Sequence, residues 1–165
     1  MRNIIKDRQI VADRWLHLDD DALVPDTGEL IVSWARWQRE GETLRARRQG
    51  VGVRIDGDVP VAEVAEQLLD RPLIALDFPV FKDGRCLTHA RLLRERYGYT
   101  GELRAVGDVL RDQMFYMQRV GINAFEVRED RDLADALQSL NDFSLSYQAA
   151  ADQQERIYQR RLRSA

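Results

Sequence analysis

The chain of 165 residues has one cysteine, Cys86, and two histidines, His17 and His89. An intramolecular disulfide is therefore excluded. A Cys/His zinc site, or an iron–sulfur cluster held by about four thiolates, would need ligands from a second chain. No apolar run approaches the roughly 20 residues that span a bilayer. The first fifteen residues, MRNIIKDRQIVADRW, carry charges where a secretory signal needs an apolar stretch. The expectation is a cytoplasmic protein without a membrane partner. A basic footprint is missing as well: the formal net charge is −3, which argues against nucleic acid as a ligand. Gly50–Val51–Gly52 precedes a strand-like run and lacks the third glycine of a dinucleotide fingerprint, and there is no P-loop. No cofactor or metal site is evident. Flavin, nicotinamide and carboxylate-held Mg²⁺ stay open.

What is present is an ordinary globular composition, 44% hydrophobic and 32% charged. The length suits one α/β domain over 1–165. Its expected parts are a hairpin and acidic loop over 1–29, βα units over 30–140 and a C-terminal helix over 141–165. Short apolar runs, VGVRI (51–55), PLIALDF (72–78), ELRAV (102–106) and AFEV (124–127), alternate with amphipathic stretches of helical length. LIVSWARWQREGETLRARR reads as one more unit ahead of them. Such alternation predicts a parallel sheet, lying open or curling as a partial barrel. A parallel edge would remain exposed and ask for a cover, whether the N-terminal hairpin, the C-terminal helix or a homodimer partner. IIKDRQIVADRW predicts the hairpin, turning near Lys6–Asp7–Arg8. Gly98 and Gly121 stand where helices end. Asp108 and Asp132 stand where the next two begin.

A parallel βα sheet binds ligands at the C-terminal ends of its strands. Asp56, Asp77 and Asp108 each follow a strand. The loop FPVFKDGRCLTH (78–89) adds Lys82, Asp83, Arg85 and Thr88, and Asp108 leads into Arg111, Asp112 and Gln113. The candidate catalytic residues are thus Asp77, Asp83, Arg85, Asp108, Arg111 and Asp112, a mixed rim suited to a small anion or to acid–base work. The competing reading is local. Asp108 caps a helix, Asp77 satisfies loop amides and Asp83–Gly84 makes a turn. Cys86 and His89 are near enough for a nucleophile pair, but no third residue is there to orient them.

The stretches LDFPVFKDGR (76–85), ARLLRERYGYTGELRAVGDVLRDQMFYMQRVGINAFEVRED (90–130) and FSLSYQ (143–148) resemble a bacterial family of unknown function encoded beside sulfite reductase and described as a predicted oxidoreductase. Asp77, Asp83, Arg85, Asp108, Arg111, Asp112 and Gln113 fall on its pattern. DGRCLTH at 83–89 departs from its DGRGYS-like stretch, so a thiol mechanism at Cys86 is not a family feature, while Thr88 keeps a hydroxyl suited to an N-cap. The resemblance implies a part in assimilatory sulfur metabolism and supplies no catalytic residues. With too few cysteines to hold a cluster, the chain is not itself the reductase. Three readings follow. It is an accessory of sulfite reductase or its electron donor, serving assembly, docking or electron delivery. It is a small enzyme acting on an anionic sulfur metabolite at the rim. Or it is a flavin- or nicotinamide-dependent oxidoreductase.

Overall fold

A computed structural model describes residues 2–143, Ser146, 148–152, Gln159 and Leu162. Eight strands form one mixed sheet: β1 (Asn3–Lys6), β2 (Gln9–Ala12), β3 (Trp15–His17), β4 (Glu29–Ser33), β5 (Val51–Ile55), β6 (Leu73–Phe78), β7 (Glu102–Gly107) and β8 (Ala124–Phe125). Their order is β2-β1-β8-β7-β6-β5-β4-β3, parallel from β3 through β8 and antiparallel where the hairpin joins. Helices α1 (Trp34–Arg45), α2 (Val61–Leu68), α3 (Arg85–Arg91), α4 (Arg111–Arg119) and α5 (Leu133–Ser139) follow β4, β5, β6, β7 and β8 in turn.

The topology forces the sheet to curl. β2 and β3 lie at opposite edges, and only Asp13 and Arg14 separate them in the chain. Laid flat, edges seven strand spacings apart would stand about 34 Å from one another. Three peptide steps reach about 11 Å. The sheet therefore bends into a half-barrel whose rims meet at Asp13–Arg14. The hairpin, one of the covers the sequence offered, pairs along the edge of β8. Its turn holds Asp7 and Arg8 at φ 47° and 63°, the left-handed pair that matches strand twist in a two-residue hairpin. Backbone and side-chain bonds of 2.8 Å between Asp7 and Asn123 fix the turn beside β8.

Alternation along the strands sorts side chains between two environments. Leu30, Val32, Val53, Ile55, Ile74, Leu76, Phe78, Leu103, Ala105 and Phe125 point outward into the main core, against Trp37, Leu44, Leu68, Leu93, Met114 and Met117 of the helical layer. Trp15, Ile31, Leu73, Ala75 and Val106 form a smaller cluster on the inner, concave face. Charged side chains, Arg54, Asp77, Glu102 and Arg104 among them, share that face.

Ser33 caps α1, accepting from the Arg36 amide at 3.0 Å, and Asp132 caps α5, accepting from Ala134 and Asp135 at 2.7 and 2.9 Å. Gly98 and Gly121 take positive φ at the expected ends. Two expected caps are corrected. α4 begins at Arg111, with Leu110 in the cap position and no side-chain cap bond. Asp108 is held two residues earlier, where Val109 is buried and its amide bonds back to Gly107. Thr88 does not start its helix either, because α3 already runs from Arg85 and continues into a π turn over Leu92–Arg96. The C-terminal helix expected over 141–165 lies for the most part outside the described residues.

Candidate functional site at the mouth of the curled sheet

The inner face carries Arg2 and Lys6 beside β1 and on it, Asp13 at the junction of the edges, His17 on β3, Arg54 on β5, Asp77 on β6, Glu102 and Arg104 on β7, and Glu126 just past β8. Arg104 is the anchor, with 1% of its surface exposed. Its Nε donates to Glu102 at 2.7 Å, and its Nη1 donates to both oxygens of Asp13 at 3.0 and 3.1 Å and to Glu126 at 2.9 Å. Burial works against that charge. Glu102, Glu126 and Asp13 outweigh it and raise the pKa of the guanidinium. Lys6 reaches Glu102 at 2.7 Å, and Arg2 pairs with Asp13 and Glu126. Three carboxylates thus face three cations, and none of the three carboxylates lacks a bonded partner.

His17 extends this network toward the C-terminal ends of the strands. Its Nε2 lies 2.8 Å from Oε1 and 3.1 Å from Oε2 of Glu126. Burial alone would push the Glu126 carboxyl up. The bond and charge of His17, then Arg104 and Arg2, outweigh it and hold the group down to about 2.

Arg54 and Asp77 stand differently. The Nε of Arg54 is 3.9 Å from Asp77 Oδ2, beyond hydrogen-bond length, and 41% of the Arg54 side chain is exposed. Among the described residues no hydrogen bond occupies its donors. Half-burial, reinforced by the charges of Asp56 and Glu126, raises the Asp77 pKa, and Arg54 and His17 only partly offset this. Gly107 makes room for the carboxylate. A Cβ there would lie 2.8 Å from Asp77 Oδ1 and 2.6 Å from the Phe78 carbonyl, and the φ of +91° disfavours any side chain. A guanidinium with open donors beside a carboxyl of raised pKa can seat a small anion and exchange a proton with it.

Of the six residues expected from the sequence, Asp77 is the one that stands beside Arg54. Arg85 donates from Nε and Nη2 to Asp83 at 2.9 and 2.7 Å, lies across Gly57 and pairs with Asp58. The Arg85 bonds hold the Asp83 carboxyl down to about 2. Asp108 accepts from Arg128 at 2.9 Å. Arg111 pairs outside the sheet with Asp135 at 3.0 Å and Asp142 at 3.7 Å. Asp112 is exposed on the first turn of α4. Asp83, Arg85, Asp108 and Arg111 thus tie loops and helices to one another. Cys86 points at the Asp77 carbonyl, 3.2 Å away, and burial pushes its thiol up to about 12, which is wrong for a nucleophile. The sequence reading missed Arg54, Glu126 and the part of His17. For Arg54 and Glu126 the signal was a charged residue standing inside an apolar run.

Among the described residues no cluster of His, Cys, Asp or Glu is placed to hold a metal ion, and no helix is long and apolar enough to cross a membrane. A cavity of about 540 Å³ at the other end of the strands is lined by Arg8, Arg94 and Asn123 among others. The Arg94 guanidinium there is committed to the carbonyls of Gly121, Tyr99 and Gly101 and to Asn123, which marks it as a strut.

Fold and site together define a curled α/β sheet that carries Arg54, Asp77 and the bonded His17–Glu126 pair toward the C-terminal ends of its strands. The chain belongs to a family of bacterial proteins of unknown function (DUF934), whose model matches residues 52–158. A search of curated proteins finds no match. The matched span includes Arg54, Asp77, Arg104 and Glu126, while Arg2, Lys6, Asp13 and His17 precede it.

Proposed function

We propose that the chain serves assimilatory sulfite reduction as an accessory of sulfite reductase, binding a small anionic metabolite at the mouth of the sheet and exchanging a proton with it. The observation that carries the site is the open guanidinium of Arg54 beside the desolvated carboxyl of Asp77. Arg54 anchors the anion, Asp77 is the acid–base group, and the bonded His17–Glu126 pair is the neighbouring charge that Asp77 senses. The sulfur setting rests on the resemblance carried by 76–85, 90–130 and 143–148.

Sulfite is the first ligand to test. Titration followed by NMR is expected to show sulfite shifting resonances around Arg54 and Asp77 in the wild type, with Arg54→Ala losing the response. In a strain lacking the protein and grown on sulfate, Arg54→Ala and Asp77→Asn are expected to fail complementation while remaining folded. Full complementation by both variants, together with unchanged sulfite binding, would sink the reading.

A further inference from the structure

Arg54 by itself would accept any small anion, but its surroundings are selective. The last registered pair of β5 and β6 is Ile55 with Leu76. Asp56 and Asp77 are the next residues along the two strands and stand side by side at the strand ends, close enough for Asp56 to act on Asp77 through its charge. Among the described residues Asp56 is engaged through Oδ1 alone, which accepts from the Asp58 amide at 2.8 Å. Among the described residues Asp77 has no hydrogen-bond donor on its carboxylate. Glu126, the third carboxylate nearby, is already used by His17, Arg104 and Arg2. Among the described residues the mouth therefore offers one unsatisfied cation flanked by two incompletely satisfied anions. A simple anion bound at Arg54 meets two like charges, and a dianion meets them twice over.

Building on the proposed anion site, we infer that the preferred ligand is a small zwitterion of the α-amino acid class, its carboxylate on Arg54 and its ammonium between Asp77 and Asp56. Such a ligand turns the repulsion into attraction. It carries opposite charges on adjacent carbons, matching receptor charges that are themselves neighbours at 3.9 Å. Arg supplies the planar fork suited to a carboxylate, and ionised Asp supplies acceptors alone, which suits an ammonium donor.

Three probes of nearly equal size separate the contributions: L-alanine, propionate, which lacks the ammonium, and ethylamine, which lacks the carboxylate. Each is titrated at millimolar concentration into the full chain and followed by amide NMR shifts. The expected result is that L-alanine binds at least tenfold more tightly than either partial probe. Asp77→Asn is expected to erase the advantage of L-alanine over propionate while keeping propionate binding, and Arg54→Ala to lose both. Propionate binding as tightly as L-alanine would overturn the zwitterion and leave the anion site standing. Binding of L-alanine that survives Arg54→Ala, or no response to L-alanine at all, would overturn the inference. Sulfite titration of the same samples then reports separately on the anion site.

Discussion

Arg54 and Arg104 stand on one register row of the inner face, joined through Ala75 on the strand between them. One is buried, with its bonded donors on three carboxylates. The other is exposed to solvent and has its nearest carboxylate at 3.9 Å. Two strand spacings, about 10 Å, separate a cation that the fold consumes from a cation that the fold leaves open. A buried charge persists only when it is neutralised and bonded, so Arg104 explains the placement of Asp13, Glu102 and Glu126. No such necessity explains Arg54 beside a carboxyl that burial has made less acidic. That contrast separates structure from candidate chemistry here.

The sharpest way to break the comparison is Arg104→Met. It keeps much of the side-chain bulk and leaves three carboxylates without their shared cation. A loss of about 3–5 kcal/mol is expected in urea denaturation, whereas Arg54→Ala is expected to stay within about 0.5 kcal/mol of wild type. Similar losses at the two positions would show that Arg54 is structural.

Gly107→Ala comes next, at about 2 kcal/mol or more, because it combines a disfavoured backbone conformation with a close approach to the Phe78 carbonyl and to Asp77. It also displaces the Asp77 carboxylate. Ligand binding at the mouth is therefore expected to fall in the fraction that remains folded, measured by titration below the unfolding transition. Retained binding would show that the space above Gly107 does not set the position of Asp77.

Glu126→Gln is expected to cost about 1–2 kcal/mol at neutral pH, since it removes charge-assisted bonds. Its pH signature is more telling. Glu126 has a folded pKa of about 2 against an ordinary 4.5. Its stabilisation is therefore fully present above about pH 4.5 and is lost as pH falls toward 2. Wild type should lose stability across that window, and the variant should show a flatter profile there. Parallel profiles would mean that the His17–Glu126 bond does not carry the acid sensitivity.

The parallel sheet was legible because apolar runs and amphipathic stretches alternate with little ambiguity, and the hairpin because its turn is short. The curl was hidden. It depends on Asp13–Arg14 joining the two edges, and in sequence those residues read only as the tail of a hairpin. The candidate site is half legible. Asp77 stands out because it ends a strand, whereas Asp108, which follows a strand as well, and Arg85 in the 78–89 loop pair with Arg128 and with Asp58 and Asp83. Arg54 in VGVRI, Arg104 in ELRAV and Glu126 in AFEV sit inside the runs, where alternation turns them away from the helices. A charge on the inner register of a curled sheet carries more information than a charge in the loop after it. Recognising the inner register required knowing which face lacked helices.

The smallest expected effect on stability belongs to Asp77→Asn. Asp77 has a pKa raised above 3.8 by burial, then by Asp56 and Glu126, against the pull of Arg54 and His17. The sign is opposite to that of Glu126. The unfolded chain releases this proton first, so ionising Asp77 favours unfolding, and stability declines as pH rises from about the ordinary value through the folded one. Asparagine removes that decline. Below pH 3.8 the two proteins should match, and above the folded pKa the variant should be as stable as wild type or more so, read as Tm across a pH series. Ligand binding should nevertheless be impaired. A substitution that stabilises the fold and impairs binding is the pattern of a group kept for chemistry at some expense to stability. If Asp77→Asn instead lowered Tm at neutral pH, Asp77 would join Arg104 among the residues that the sheet needs merely to close.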